Sequence, residues 1–420
     1  MASPSGKNSI ALVFLAAAMV VSCSTTQNSQ TTPSDSSLTS APGSNSAEPV
    51  LTPLTAATLA APIPVTATDG EVHLAYELFL TNTLAQPLTL RSIEPVSNGV
   101  PLQSSISDGL LPWIRVFGAT RPTETLGPGQ SALAWIDVTV PSSSEVPEVP
   151  EVVEHRISVA VATPNPPLLP AEMTEIVART TVSTQSAVVI DPPLNGENWL
   201  NGNGCCGLTA HRGAVSPLNG QLFAPERFAI DYVQLTSEGK MFNGDRTSVN
   251  SYPYYGSDVF AVAEGKIVSM VNDLPEQTPG ADPVGLTLDQ FGGNHVVQDL
   301  GNGRYAFYAH LQRGSIPLEV GDNLKAGQSL GKLGNSGNTD APHLHFHIMD
   351  GPDPLASNGL PFEIRSFDLT NRIMNQDNLD SVTDSGAAAQ FATGVDTGRR
   401  SNQMPLTLDV MTYDVVQQGS

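Results

Sequence analysis

Close to its C-terminal end the chain reads Ala341-Pro342-His343-Leu344-His345-Phe346-His347. In a β-strand, successive side chains point to opposite faces. His343, His345 and His347 therefore share one face, and Leu344 and Phe346 share the other. The apolar pair requires a core beneath it, so the imidazoles sit on a rigid surface. Imidazoles gathered in this way, beside the turn Gly334-Asn335-Ser336-Gly337-Asn338, point to a metal site. Two further histidines, His211 and His310, stand in other short segments. A catalytic zinc ion takes three protein ligands and keeps one position for water, whose pKa it lowers to about 7. His211, Asp231 and His345 are the candidate ligands for one Zn²⁺ per chain. His310 and His343 remain for the other needs of amide hydrolysis. One group must deprotonate the water, and one must stabilise the oxyanion and protonate the leaving amine.

The elements that would position these residues are strands. From residue 58 to 190 short alternating runs recur, such as Val72–Leu80, Ala132–Val140 and His155–Val161, separated by turn signals at Asn82, Pro87, Gly109 and Gly127-Pro128-Gly129. That spacing predicts a β-sandwich of the Ig-like kind. His73 and His155 stand alone among its strand residues and read as ordinary surface or packing histidines. A Pro/Gly/Asn stretch, 191–204, reads as a linker. Glycine-dense strands follow over 205–368, among them Phe228–Val233, Gly265–Val271, His295–Leu300 and Arg304–Leu311. No helical period of useful length interrupts them. The expected fold is thus all-β: a sandwich, then an antiparallel sheet domain. Residues 369–420 read as a polar tail with one last strand at Leu406–Val410.

In order along the chain, His211, the strand ending at Asp231, Tyr308-Ala309-His310-Leu311, and the glycine turn followed by His343-Leu344-His345-Phe346-His347 resemble the lysostaphin/LytM-type zinc metallopeptidases, the cell-wall endopeptidase family. The stretch Gly321–Gly331 resembles that family's connecting hairpin. The resemblance covers about residues 205 to 365 and implies a duplicated hybrid motif fold. It further implies zinc on His211, Asp231 and His345, with His343 as general base and His310 at the oxyanion, two roles that could be exchanged. The implied substrate is peptidoglycan, in its cross-links or stem peptides. The rival reading is a catalytically silent or gated member that acts as scaffold or activator of other wall hydrolases. Two departures stand out. The family's first motif reads His-x-x-x-Asp, whereas 19 residues separate His211 from Asp231 here. The extra segment, Arg212–Arg227, reads as an inserted loop, expected to gate the groove; Asp258 is the alternative carboxylate. His347 stands where many relatives carry an acidic residue, and is either an outer partner orienting a ligand histidine or a structural residue. Arg227 and Tyr232, flanking Asp231, read as packing residues.

The N-terminus reads as a targeting segment. Lys7 precedes an apolar run, Ile10–Val21, too short for an ordinary membrane span. The run ends Val20-Val21-Ser22-Cys23, which looks like a bacterial lipobox. Residues 1–22 would be a signal peptide and Cys23 would carry the lipid; a simple cleaved secretory signal is the rival. Ser24 after the cysteine fits sorting to the outer membrane, facing the periplasm, if the source is Gram-negative. Residues 23–57, rich in Ser, Thr and Pro, read as a disordered tether. Cys205 and Cys206 are adjacent, and an exported protein could join them in a vicinal disulfide or keep them as buried thiols. With 19 Lys+Arg against 41 Asp+Glu, the net charge of −22 argues against a nucleic-acid partner and against docking on anionic lipid. Nothing in the sequence names a protein partner for the sandwich.

Overall fold

The structure is a computed structural model that describes residues 49–141 and 148–414. The signal segment, Cys23 and most of the tether lie outside the described residues. The first strand, β1 (Leu54–Thr58), begins inside the stretch read as tether. It is followed by β2 (Glu71–Asn82), β3 (Leu88–Ser97), β4 (Ser131–Pro141), β5 (Val152–Val161) and β6 (Glu172–Thr181). One antiparallel sheet has the order β1-β2-β4 with Ile114–Val116 at its edge, and the other β6-β5-β3 with Val100–Pro101. The two sheets close over a shared core that includes Leu74, Leu78 and Leu80 from β2 and Leu88 and Leu90 from β3. Burying each such leucine stabilises the fold by about 1.5–3 kcal/mol. Two antiparallel sheets thus pack face to face in the stretch where an Ig-like sandwich is expected, and the Ig-like kind stays an expectation of the sequence.

One face of β2 departs from a free-standing sandwich, in which alternate residues would meet water. His73, Ala75 and Glu77 point away from the sandwich core and are nonetheless buried. They meet the second lobe. Ala75 belongs to that lobe's core, and Leu133 and Trp135 of β4 pack against Val215 and Ala224. The lobes are also joined by β7 (Val188–Ile190), which pairs in parallel with a strand at Phe362–Ile364, and the described residues from Leu51 onward form one unit. His73 and His155 are both buried packing histidines, neither on the surface. His155 Nε2 lies 2.9 Å from the Tyr76 hydroxyl.

The second lobe is built on an eleven-stranded antiparallel sheet. Its strands include β8 (Gly196–Gly202), β9 (Ile230–Gln234), β10 (Gly265–Val271), β11 (Asn294–Gly301), β12 (Arg304–Leu311), β13 (Leu344–Met349), β14 (Phe367–Arg372) and β15 (Asp409–Tyr413). The order through the middle is β10-β11-β12-β13-β9-β8-β15-β14. Two expectations change here. The stretch 191–204 contains a central strand, β8, with Trp199 and Leu200 buried; its Asn and Gly residues masked a short apolar run. The C-terminal stretch is likewise part of the sheet. Its last strand is Asp409–Tyr413, a few residues later than expected, and it lies between β8 and β14. The stretch also holds a helix, Gln376–Ser385, capped by Asn375 at its start and by Gly386 in the left-handed conformation at its end. Among the described residues no helix is long and apolar enough to cross a membrane.

Candidate metal centre

β13 carries the alternation expected of it. Leu344, Phe346 and Ile348 enter the main core, while His345 and His347 lie on the opposite face with Phe307 beside them. The register places Asp231 of β9 directly across from His345 on one side and Ala309 of β12 on the other. Cross-strand neighbours share a face, so pairing β9 with β13 is enough to bring carboxylate and imidazole together. His345 Nδ1 lies 3.0 Å from Asp231 Oδ1.

His211 arrives from outside the sheet, on the single helical turn α1 (Ala210–Gly213). Thr209 caps this turn, accepting from Arg212 N and donating to Asn203 O at 2.9 Å. Asn203 in turn donates to Asp231 Oδ2 at 2.8 Å. His211 Nε2 then stands 3.2 Å from Asp231 Oδ2. The long spacing between the two residues is thus bridged locally.

His310 is the residue that strand alternation misplaces. Tyr308 enters the core and Ala309 faces the site, so strict alternation would send His310 to the core side. Its φ of 59° and a register shift against β11 at this point turn the ring instead toward the site. Its centroid lies 4.6 Å from that of His343 and 5.8 Å from that of His345. His310 Nδ1 donates to Ser336 O at 2.8 Å, and His343 Nδ1 donates to Ala341 O at 2.9 Å. Both rings therefore keep Nε2 for the site.

The ligand atoms of His211, Asp231 and His345 lie within 4.8 Å of one another, and so do those of His310, His343 and His345. The first set suits zinc better because it includes a carboxylate, and outer hydrogen bonds again leave lone pairs bare. His211 Nδ1 donates to Ala229 O at 3.1 Å, leaving Nε2 for a metal. His345 Nε2 lies 2.9 Å from His347 Nδ1, leaving the Nδ1 of His345 for a metal. His347 is buried and touches His345 rather than solvent.

Electrostatics agree with a cation site. Burial alone would raise the Asp231 carboxyl, but His211 and His343 hold it well below the usual carboxylate range. Burial opposes charge on His211, yet Asp231 raises its pKa to about 9. Burial, with His343 and His345 close by, pushes His310 well down. An anionic carboxylate that favours the protonated forms of His211 and His343 beside it is a site in which a divalent cation would replace protons.

Other candidates fall elsewhere. Asp258 pairs with Lys332 Nζ at 2.9 Å on a half-exposed strand and is no ligand here. His295 donates from Nδ1 to Gly293 O and stacks on Phe307. Cys205 and Cys206 are joined in a vicinal disulfide buried in the main core. The Arg212–Arg227 loop, expected as a gate, packs Val215 and Ala224 against the sandwich. Arg227 does more than pack, since its Nε donates to Glu77 Oε2 at 2.8 Å. No sequence signal tied Glu77 to the site, because its partners lie more than a hundred residues away.

Residues 247–357 match the model of peptidase family M23, a span that takes in His310, His343, His345 and His347 and leaves out His211 and Asp231. Endolysin 2638A of Staphylococcus phage 2638A is 31% identical over 173 residues, 36% of this chain and 34% of that protein. Glycyl-glycine endopeptidase ALE-1 of Staphylococcus capitis is 32% identical over 123 residues, 28% of this chain and 29% of that one. The chain thus spans about a third of the length of the curated relatives it matches. Among solved structures, the catalytic domain of lysostaphin from Staphylococcus simulans aligns at 23% identity with a TM-score of 0.23, covering 39% of this chain and 88% of that domain. On the sequence matches, with the histidines of β12 and β13 inside the matched span, this chain carries a peptidase family M23 domain, homologous to the lysostaphin/LytM-type endopeptidases.

Proposed function

We propose that the chain is a zinc metalloendopeptidase that hydrolyses peptide bonds in peptidoglycan cross-links or stem peptides. The observation that carries this reading is the convergence of His211 Nε2, Asp231 and His345 Nδ1, each oriented by a hydrogen bond from behind, with His310 and His343 alongside. His211, Asp231 and His345 would hold the ion. Zinc bound there would supply Lewis acidity and lower the pKa of water. His310 is kept neutral by burial, and its only N–H is spent on Ser336 O, so its Nε2 can accept a proton. His343 is the more basic ring because Asp231 lies 3.3 Å from its Nε2, and it is the better placed to present an N–H to an oxyanion. This exchanges the two roles carried over from the family. The peptidoglycan substrate is suggested by a further relative, the peptidoglycan DD-endopeptidase ShyC of Vibrio cholerae, 38% identical over 63 residues.

The test uses the full chain, purified in detergent, on isolated sacculi. The wild type is expected to hold about one zinc per chain and to release peptide products in an EDTA-sensitive way. His345→Ala should lose metal and products together. His310→Ala should keep metal and lose activity about 10²–10⁴-fold. Zinc without products in the wild type would favour the scaffold reading, and absence of zinc would overturn the ligand set.

The same proposal places the protein in the bacterial envelope, held by a lipid on Cys23. Cys23→Ser is then expected to move the protein from the detergent phase to the aqueous phase on Triton X-114 partitioning. A wild type already in the aqueous phase would favour a simple cleaved signal.

A further inference from the structure

The loop between the first two candidate ligands ends in an arginine on each side. Arg212 directly follows His211, and Arg227 lies shortly before Asp231. Both guanidinium groups are buried, and both converge on one fully buried carboxylate, Glu77, which belongs to β2 of the sandwich. Arg212 Nη1 donates to Glu77 Oε1, and its Nη2 donates to Ile136 O of β4 at 3.2 Å and to Tyr76 O at 3.4 Å. Arg227 Nε donates to Glu77 Oε2 at 2.8 Å, its Nη2 bonds the same oxygen, and its Nη1 donates to Gly359 O at 3.2 Å. Burial would raise the Glu77 carboxyl, but the two guanidinium groups hold it below the ordinary range.

A loop of 19 residues would leave the separation of its ends to chance. Here both ends are pinned to a single point on another lobe. The pinning is directional: Arg227 grips Glu77 through both Nε and Nη2, and Arg212 is fixed by one bond to Glu77 and two to backbone carbonyls. On α1 neighbouring residues diverge by about 100°, so Arg212 can be anchored in the sandwich while His211 turns toward Asp231. A buried ion-pair network is weak evidence for stability, since desolvating three charges offsets much of their attraction. Its geometric consequence is what this site needs.

We propose that Glu77 is a positioning residue for the metal centre, acting through Arg212 and Arg227 to hold His211 and Asp231 at ligand distance, so that the sandwich lobe completes the site. The proposal rests on the zinc reading above. It explains how this chain dispenses with the short His-x-x-x-Asp spacing. Geometry that a three-residue spacing would enforce is supported here by a tertiary contact, together with the local Thr209–Asn203–Asp231 hydrogen bonds.

The test is a metal titration on the full chain, with zinc affinity measured by competition against a chromophoric chelator and with the visible absorption of the cobalt form. The variants are Glu77→Gln, Arg212→Lys and the apolar triple Glu77→Leu/Arg212→Met/Arg227→Met. The triple removes every buried charge together and so avoids stranding one. Thermal unfolding of the metal-free proteins reports whether each variant folds. Folded variants are expected to bind zinc about 10–100-fold more weakly than wild type, the usual effect of losing an outer partner of a ligand. Their cobalt spectra should be altered. Folded variants with zinc affinity and cobalt spectrum like wild type would overturn the proposal and leave the zinc site standing. Failure of all three to fold would assign the network to stability and overturn it too. A wild type that binds neither metal would overturn the zinc reading together with this one.

Discussion

His347 shows how a single side chain connects the candidate ligands to the sheet behind them. Its Nδ1 faces His345 Nε2, its ring packs at a tilt against Phe307, and its own Nε2 is buried with no hydrogen-bond partner among the described residues. A buried polar atom without a partner costs about 1–3 kcal/mol. That cost is offset if the other nitrogen fixes the tautomer of a metal ligand. His347→Phe keeps a ring in place and removes both nitrogens. It is expected to leave the melting temperature unchanged or higher and to weaken zinc binding about 10–100-fold. Equal zinc affinity in the two proteins would reduce His347 to a packing residue. Alternation along β13 made the shared face of the three histidines legible from sequence. It could not say whether His347 faced solvent or His345, since that depends on what lies against the sheet.

At the scale of elements, the β12 irregularity and the glycine turn act as one device. His310 adopts a left-handed backbone conformation that a non-glycine residue rarely takes without support. The support comes from the turn at Gly334–Asn338, whose Ser336 carbonyl receives the His310 ring and whose Ser336 hydroxyl donates to Leu311 O at 2.7 Å. Gly337 lets that turn approach: its φ is 81°, and a Cβ added there would lie 2.2 Å from Gly293 N. Gly337→Ala is therefore expected to destabilise the fold by about 1–3 kcal/mol from backbone strain alone, with more from the clash. Urea unfolding measures the loss, and hydrolysis should fall with it as His310 loses its anchor. An unchanged urea midpoint would show that the turn has room to yield. The sequence displayed the turn and the histidine, but not the reversal of φ that joins them. Backbone strain of this kind is set by neighbours and leaves no period in the chain.

At the scale of the molecule, the face shared by the two lobes carries charge as well as apolar contact. Burial disfavours a charged His73, yet hydrogen bonds from its ring to Asp137 at 2.9 Å and Asp69 at 3.1 Å raise its pKa to about 10. The folded protein thus favours the protonated ring. The resulting stabilisation is complete below the unfolded value near 6.5 and disappears as pH rises through about 10. Urea unfolding of the wild type should show stability falling across that window. His73→Asn should lack the portion of the slope that His73 supplies. The difference between the two proteins isolates this residue from His211, which also titrates near its upper end. Parallel pH profiles would mean that the ring is neutral in the folded state.

What could be read from the residues alone was which of them could carry chemistry. The alternation of His343, His345 and His347 over an apolar face, the ordered segments around His211, Asp231 and His310, and the short strand runs follow from residue type and period, which are local properties. They were enough for an all-β fold and for the candidate ligands. Only the tertiary structure decided how these residues are held. The approach of His211 to Asp231 across their long spacing, the anchoring of Arg212 and Arg227 on Glu77, the strand hidden in 196–202 and the entry of Asp409–Tyr413 into the central sheet all depend on contacts between distant segments. The physical reason is that burial and ion pairing act through space. A polar residue such as Glu77 looks like any surface carboxylate until the fold removes it from water and places two arginines against it.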